Sequence, residues 1–135
     1  MVFYKNSLEG ISPDQLKGFF VGWKRKPSEE VLLSILEKSY KIQLAIDSTT
    51  NHVVGFITAL SDTVLSAYIP FLEVLPVYQN RGIGKELVKK MLLELSDFYM
   101  IDLVCDPDLQ VWYKEIGFER SIGMSYRNYS KQSGQ

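Results

Sequence analysis

Pro76-Val77-Tyr78-Gln79-Asn80-Arg81-Gly82-Ile83-Gly84-Lys85 is the stretch on which the fold turns. The apolar run Ile69 to Leu75 before it reads as a strand, and Ile83 to Leu95 after it has helical periodicity. A proline, polar residues and two glycines one apart make a strand-to-helix turn with an open backbone. Gly82 and Gly84 have no β-carbon, so a ligand can approach their backbone closely. The helix they open presents unpaired N–H groups and the positive end of its dipole, a seat for phosphate. A dinucleotide fingerprint needs a third glycine where this chain has Leu87, and a P-loop needs Ser or Thr where it has Glu86. Taken alone, the two glycines favour an ordinary tight turn that uses glycine for its geometry.

Downstream, Ile83, Leu87, Val88, Met91, Leu92 and Leu95 form a wide apolar stripe with charged residues outside it. Tyr99 to Cys105 is a buried-type strand, and helix followed by strand implies a right-handed crossover to a parallel neighbour. Asp106 as N-cap and Pro107 start a helix with Leu109, Trp112, Tyr113 and Ile116 on one face, stopped by Gly117. Phe118 to Tyr129 reads as a closing strand or hairpin with Gly123 at its turn.

Upstream, Lys41 to Asp47 alternates as a half-buried strand, Ser48 to Asn51 is turn chemistry, and Val53 to Leu60 is a more apolar strand. Val64 to Leu75 follows, with Pro70 predicting an edge, bulge or splay. Ser12-Pro13-Asp14-Gln15 predicts a helix start with Leu16, Phe19 and Phe20 on one face, and Ser28-Glu29-Glu30 caps another helix. Val2 to Lys5 is a candidate first strand. The order describes one domain over 1–135: a mixed-sheet α/β fold with about four helices.

Net charge is −1 and apolar content 46%, which suit a soluble globular domain and argue against nucleic acid or an anionic membrane as main partner. No apolar run approaches a membrane span, and the first residues lack a signal-peptide layout. One cysteine and one histidine make a zinc site a poor reading, so no metal is expected. A lone cysteine also makes a reducing cytoplasm the default location.

Gln79-Asn80-Arg81-Gly82-Ile83-Gly84 resembles the Gln/Arg-x-x-Gly-x-Gly/Ala signature of the GNAT superfamily of N-acetyltransferases. Leu72-Glu73-Val74-Leu75-Pro76 is similar to the strand before that signature. Trp112-Tyr113-Lys114-Glu115-Ile116-Gly117-Phe118 looks like the family's later aromatic-Tyr-x-x-x-Gly-Phe motif. The resemblance implies a mostly antiparallel sheet with a parallel strand pair splayed into a V, where acetyl-CoA binds. It further implies that backbone groups of Leu72 and Val74 pair with the acyl-pantetheine arm. N–H groups of Gln79, Asn80, Arg81, Gly82, Ile83, Gly84 and Lys85 would hold the pyrophosphate. The side chains of Arg81 and Lys85 either add charge there or point to solvent.

The activity so implied is direct attack of a primary amine on the thioester, so Cys105 is not needed as a nucleophile. Tyr113 matches the family's general-acid tyrosine; a phenol with pKa near ~10 is protonated at neutral pH and can deliver a proton to sulfur. Tyr113 also lies on an apolar stripe, where a packing role is the alternative. Glu73 is the only acid in the central strand: either it takes the ammonium proton, directly or through water, or it faces away, paired or solvated. The family's carboxylates more often sit where this chain has Tyr68 and Pro70. The acceptor is a small-molecule amine or a protein amine, and the sequence leaves room for a homodimer. Non-catalytic acyl-CoA binding is the competing function. Phe19, Phe20 and Trp23 read either as core or as a docking surface.

Overall fold

The computed structural model describes residues 1–135. Its six strands are β1 (Val2–Lys5), β2 (Lys41–Asp47), β3 (His52–Ser61), β4 (Ser66–Ile69), β5 (Leu72–Val74) and β6 (Met100–Leu103). Its α-helices are α1 (Glu29–Lys38), α2 (Ile83–Glu94) and α3 (Gln110–Ile116), with 3-10 turns at Pro13–Leu16, Pro76–Tyr78, Pro107–Leu109 and Tyr129–Lys131. The sheet runs β1-β2-β3-β4-β6, all antiparallel except the β4–β6 pair, and β5 also pairs with β3. The mixed α/β architecture, mostly antiparallel with one parallel pair, is the one the sequence implied.

β3 is the longest strand and carries two partners in succession. Gly55, Phe56 and Ile57 face Val74, Glu73 and Leu72, whereas Leu60 and Ser61 face Tyr68 and Ala67. Between the two partners lie Pro70 and Phe71, so the run read as one strand is two. Proline cannot donate to a ladder, and the break falls where it stands. β4 continues alongside β6 while β5 leans away from it, which opens the predicted splay.

Two apolar layers cover the sheet. On one face α2 lays Leu87, Val88 and Met91 against Val54, Ile57 and Ala59. Gly55 lets α2 and β5 close in; a β-carbon there would meet Leu87 Cδ1 at 3.1 Å and Val74 Cγ2 at 3.3 Å. On the other face Leu32 and Leu36 of α1 join Leu16, Phe19, Phe20, Leu44 and Phe56. α1 is capped as expected, the Ser28 hydroxyl accepting from the Val31 N–H at 3.2 Å. Thr58, on β3, is fully buried and its hydroxyl has no hydrogen-bond partner.

Two sequence expectations need correction. The helix expected from Ser12 is a single 3-10 turn, because Gly18, Phe20 and Gly22 all take positive φ and cannot continue a right-handed helix. Leu16, Phe19 and Phe20 are nonetheless buried, so the periodicity marked a core face without marking a helix. The closing strand or hairpin expected over Phe118 to Tyr129 is not formed. Phe118 packs on the α2-side core, residues 119–128 are extended and exposed, and the chain is caught again at Tyr129–Lys131. A strand needs a ladder partner, and no strand of the sheet pairs with that segment.

Candidate active site

The site is built around the splay. Phe71 O accepts from Thr58 N–H and Leu75 N–H donates to Val54 O, so the odd-numbered positions of this segment direct their backbone groups at β3. By the alternation of a strand, Leu72 and Val74 direct theirs away from β3, towards the gap left by β6. The Val74 carbonyl there accepts from Gln79 Nε2 at 3.0 Å. Leu72 and Val74 side chains pack into the α2-side core, and Glu73 points to the opposite face.

After β5 the chain makes the 3-10 turn Pro76–Tyr78 and two left-handed residues, Asn80 (φ 63°) and Gly82 (φ 83°). The first bond of α2 is Glu86 N–H to Gly82 O, at 3.1 Å. The backbone N–H groups of Asn80, Arg81, Gly82, Ile83, Gly84 and Lys85 consequently have no acceptor in the protein. Successive unpaired N–H groups in such a turn form a concave anion site, here at the positive end of a helix. Gln79 differs: its N–H is bonded to Pro76 O and its side chain to Val74 O, so it braces the turn.

The two glycines have different reasons. Gly82 is required by its left-handed backbone, and nothing lies within 4 Å of the place a β-carbon would take. Gly84 is limited by packing: a β-carbon there would sit in ordinary contact with the Trp112 ring at 3.5 Å and Val74 Cγ2 at 3.7 Å, leaving no room for a larger side chain. Arg81 stacks its guanidinium over the Tyr78 ring at 5.2 Å, and Lys85 pairs with Glu115 at 3.9 Å across an exposed gap between α2 and α3. The Tyr78 hydroxyl donates to Asp47 Oδ2 at 2.6 Å, tying the turn to the end of β2. That bond, with the Thr49 N–H, holds the Asp47 carboxyl below its usual range. Tyr78 and Trp112 thus shape the turn from outside the signature; an aromatic immediately before Gln79 and the repeated aromatic before Tyr113 were the available signals.

Tyr113 is buried, 8% exposed, with its ring edge-on to Trp112 at 4.8 Å and to Phe118 at 5.5 Å. Burial first, and then the neighbouring Cys105 thiol, push its phenol up to about 12. Its hydroxyl bonds to no group of the protein. Cys105 lies just past β6, its thiol raised by burial and by Asp106 and Asp108, so it is a neutral thiol at pH 7. Asp106 occupies the N-cap of its turn without a capping bond. Across the splay, both oxygens of Glu73 accept from backbone: Phe20 N–H at 2.8 Å and Val21 N–H at 3.2 Å. Glu73 thereby anchors the loop between Leu16 and α1, whose Phe20 and Trp23 stack with each other and with Phe71 of the β4–β5 link at centroid distances of 4.9–6.4 Å.

A model of the acetyltransferase (GNAT) family matches residues 8–118, which takes in the splay, the N–H turn and Tyr113. The chain belongs to the GNAT acetyltransferase family. Among curated GNAT relatives, the uncharacterized N-acetyltransferase ycf52 of Pyropia yezoensis is 31% identical over 73% of this chain and 58% of its own. The histone acetyltransferase TAP1 of Glycine max is 31% identical over 73% of this chain and 47% of its own. The chain thus spans roughly half the length of these relatives. A crystal structure from Deinococcus radiodurans R1, classed as an acetyltransferase, superposes with a TM-score of 0.95 at 41% identity, covering 98% of this chain and 92% of that one. A GNAT-family protein of Streptococcus pneumoniae gives 0.77 at 30% identity, covering 95% of this chain and 98% of that one. No helix of this GNAT domain is long and apolar enough to cross a membrane.

Proposed function

We propose that the chain is an acetyl-CoA-dependent N-acetyltransferase that moves an acetyl group to a primary amine, of a small molecule or a protein, by direct attack. The observation that carries this reading is the row of partnerless N–H groups from Asn80 to Lys85 at the mouth of the splay. Those donors suit a pyrophosphate, and the outward backbone groups of Leu72 and Val74 suit the amides of a pantetheine arm, which would add to β5 as a strand does. Bound there, acetyl-CoA supplies the acyl carbon and a thiolate leaving group. Tyr113 keeps a proton well above neutral pH and has no internal partner for it, so it serves as the acid for the sulfur. Glu73 holds the acceptor-side loop with two of its lone-pair sites and keeps others with which to take the ammonium proton. In balance, a C–N bond forms and a C–S bond breaks. Of the ammonium's two departing protons, one goes to Glu73 or water before attack; Tyr113 gives its own proton to the thiolate and is reprotonated, through water, by the second.

Glu73's engagement by the Phe20 and Val21 N–H groups is what favours the second reading, acyl-CoA binding without turnover. Two measurements divide them. Acetyl-CoA should raise the melting temperature and bind in calorimetry, and absence of both removes the cofactor assignment. Thiol release from acetyl-CoA, screened across amines, separates enzyme from binder and identifies the acceptor class.

A further inference from the structure

Residues two apart on a strand share a face, so Lys41 and Gln43 of β2 lie on the same side as Ala45, in the α2-side core. Across the ladder Gln43 pairs with Ile57, another residue of that core. Burial at position 43 asks for an apolar side chain, and the chain has a carboxamide there. Gln43 is 5% exposed, and its side-chain amide makes no hydrogen bond within the protein. Unlike the sealed Thr58 hydroxyl, its polar atoms are not closed off. They open on a groove of about 450 Å³ between the β1–β2 edge and the second half of α2. An amide so deeply buried needs polar atoms brought to it.

The lining of the groove defines what suits that amide. Lys90 and Glu94 lie one turn apart on α2 and both line it, so a cation and an anion stand side by side. Lys90 is 3.7 Å from Glu86 and 5.2 Å from the Tyr4 ring centroid, and Glu94 is 3.4 Å from Lys41 through Oε2. An ammonium has three donors and a carboxylate about four lone-pair sites, so both keep capacity for a ligand. These charges cancel in pairs, so the groove selects neither a net cation nor a net anion. Tyr4, on β1, and Asn6, just after it, complete the polar lining. Burial first, and then Glu86, raise the Tyr4 phenol, so it is a donor at neutral pH.

We propose that this groove is a second small-molecule site, which binds a free α-amino acid as its zwitterion. The carboxylate is taken by Lys90, the Gln43 NH₂ and the Tyr4 hydroxyl, and the ammonium by Glu94 and the Gln43 carbonyl. A carboxamide offers a donor and an acceptor side by side, and an α-carbon bearing both charges asks for that pair. A lone amine or a lone acid leaves either Lys90 or Glu94 unmatched. The site is separate from the N–H turn: Gly82 and Glu94, at the two ends of α2, are about 18 Å apart along its axis. Binding here is independent of the reaction proposed above.

Nuclear magnetic resonance titration of the isotope-labelled full chain tests this, with L-alanine first and then the other protein amino acids. The Gln43 side-chain NH₂ resonances should shift saturably in the millimolar range or below. Analogues of the amino acid that binds, lacking its amino group or its carboxylate (propionate and ethylamine for alanine), should bind about 10-fold or more weakly, the worth of one charged hydrogen bond. Gln43→Leu keeps the volume and removes the amide, and should weaken binding by about 10-fold or more at an unchanged or higher melting temperature. Lys90→Gln changes a partly exposed side chain, so it folds whatever Gln43→Leu does, and should weaken binding as much. Lys89→Gln, exposed on the same helix and outside the groove, is the control and should leave binding unchanged. No saturable shift with any amino acid would mean that the groove holds water alone, and overturns the proposal. So does binding that survives both groove variants, binding weakened equally by Lys89→Gln, or analogues that bind as tightly. Shifts at Gly82–Lys85 or Phe20–Val21 with none at Gln43 overturn it too, since the amino acid then sits elsewhere.

Discussion

Replacing Tyr113 by Phe removes one oxygen from a ring held edge-on by Trp112 and Phe118. The hydroxyl bonds to no protein group, so folding should change by about 0.5 kcal/mol or less. The acid role predicts a different scale for catalysis. A positioned general acid contributes about 10²–10⁴-fold, or roughly 2.7–5.4 kcal/mol at 1.36 kcal/mol per decade. The variant should therefore keep its melting temperature and its acetyl-CoA affinity while kcat falls at least about 100-fold. The pH dependence has a definite sign. Burial raises the phenol to about 12, so the protonated form persists throughout the neutral and mildly alkaline range. Its contribution to stability is complete below the ordinary phenol pKa of ~10 and is lost as pH rises through about 12. The assay is thiol release at saturating acetyl-CoA, with binding measured separately by calorimetry. A kcat within about threefold of wild type would refute the acid assignment, because that is under 1 kcal/mol. A large fall in melting temperature would show instead that the hydroxyl has a structural partner.

Perturbations at four further positions follow from the structure. Gly82→Ala places a side chain at φ 83° and should cost about 1–2 kcal/mol and weaken acetyl-CoA binding. Gly84→Ala should fold and bind normally, since its methyl meets Trp112 only at 3.5 Å, while Gly84→Leu should displace Trp112 and lose binding. Calorimetry with all three checks the separation, and equal loss in both alanine variants would contradict it. Glu73→Gln leaves one backbone N–H of the Phe20–Val21 pair without an acceptor and should lower stability by about 1–2 kcal/mol, with a rise in acceptor KM. A fall in kcat alone, at unchanged melting temperature, would mean that Glu73 works only as a base. Thr58→Val removes a buried hydroxyl without a partner and should raise stability by about 1 kcal/mol. A lower melting temperature would reveal a bond to that hydroxyl.

The parts of this fold that were legible in the sequence are those where local chemistry dictates the outcome. Pro70 forces a break in a strand wherever it falls, and Gly82 marks a left-handed entry to a helix whose apolar stripe is unambiguous. Ser28 caps α1 through a contact three residues away. The failures are also local in origin. Leu16, Phe19 and Phe20 have helical spacing, but Gly18, Phe20 and Gly22 take positive φ, which the spacing could not reveal. Phe118 to Tyr129 alternates as a strand should, yet pairing is a property of two elements, and no strand of the sheet pairs with it. Glu73 was ambiguous because its partners stand 53 and 52 positions away, on a loop with no regular structure to anticipate. Tyr113 was ambiguous between packing and chemistry because its ring is packed in the core while its hydroxyl bonds to no protein group, an arrangement that suits either role.

β5 is three residues long, with one edge on β3, the other open, and Glu73 at its centre bonded to the loop on the far face. So short a strand is only as rigid as its neighbours. A molecule laid along its open edge restrains the backbone that carries Glu73, and with it the turn at Phe20 and Val21. Loop order is then part of what that molecule's binding produces, and whatever the loop holds tightens the molecule's grip by the same factor. On the proposed function, thioester and amine would be thermodynamically coupled through the Glu73 carboxylate, with the thioester as the leading substrate and the amine meeting a finished site only after it.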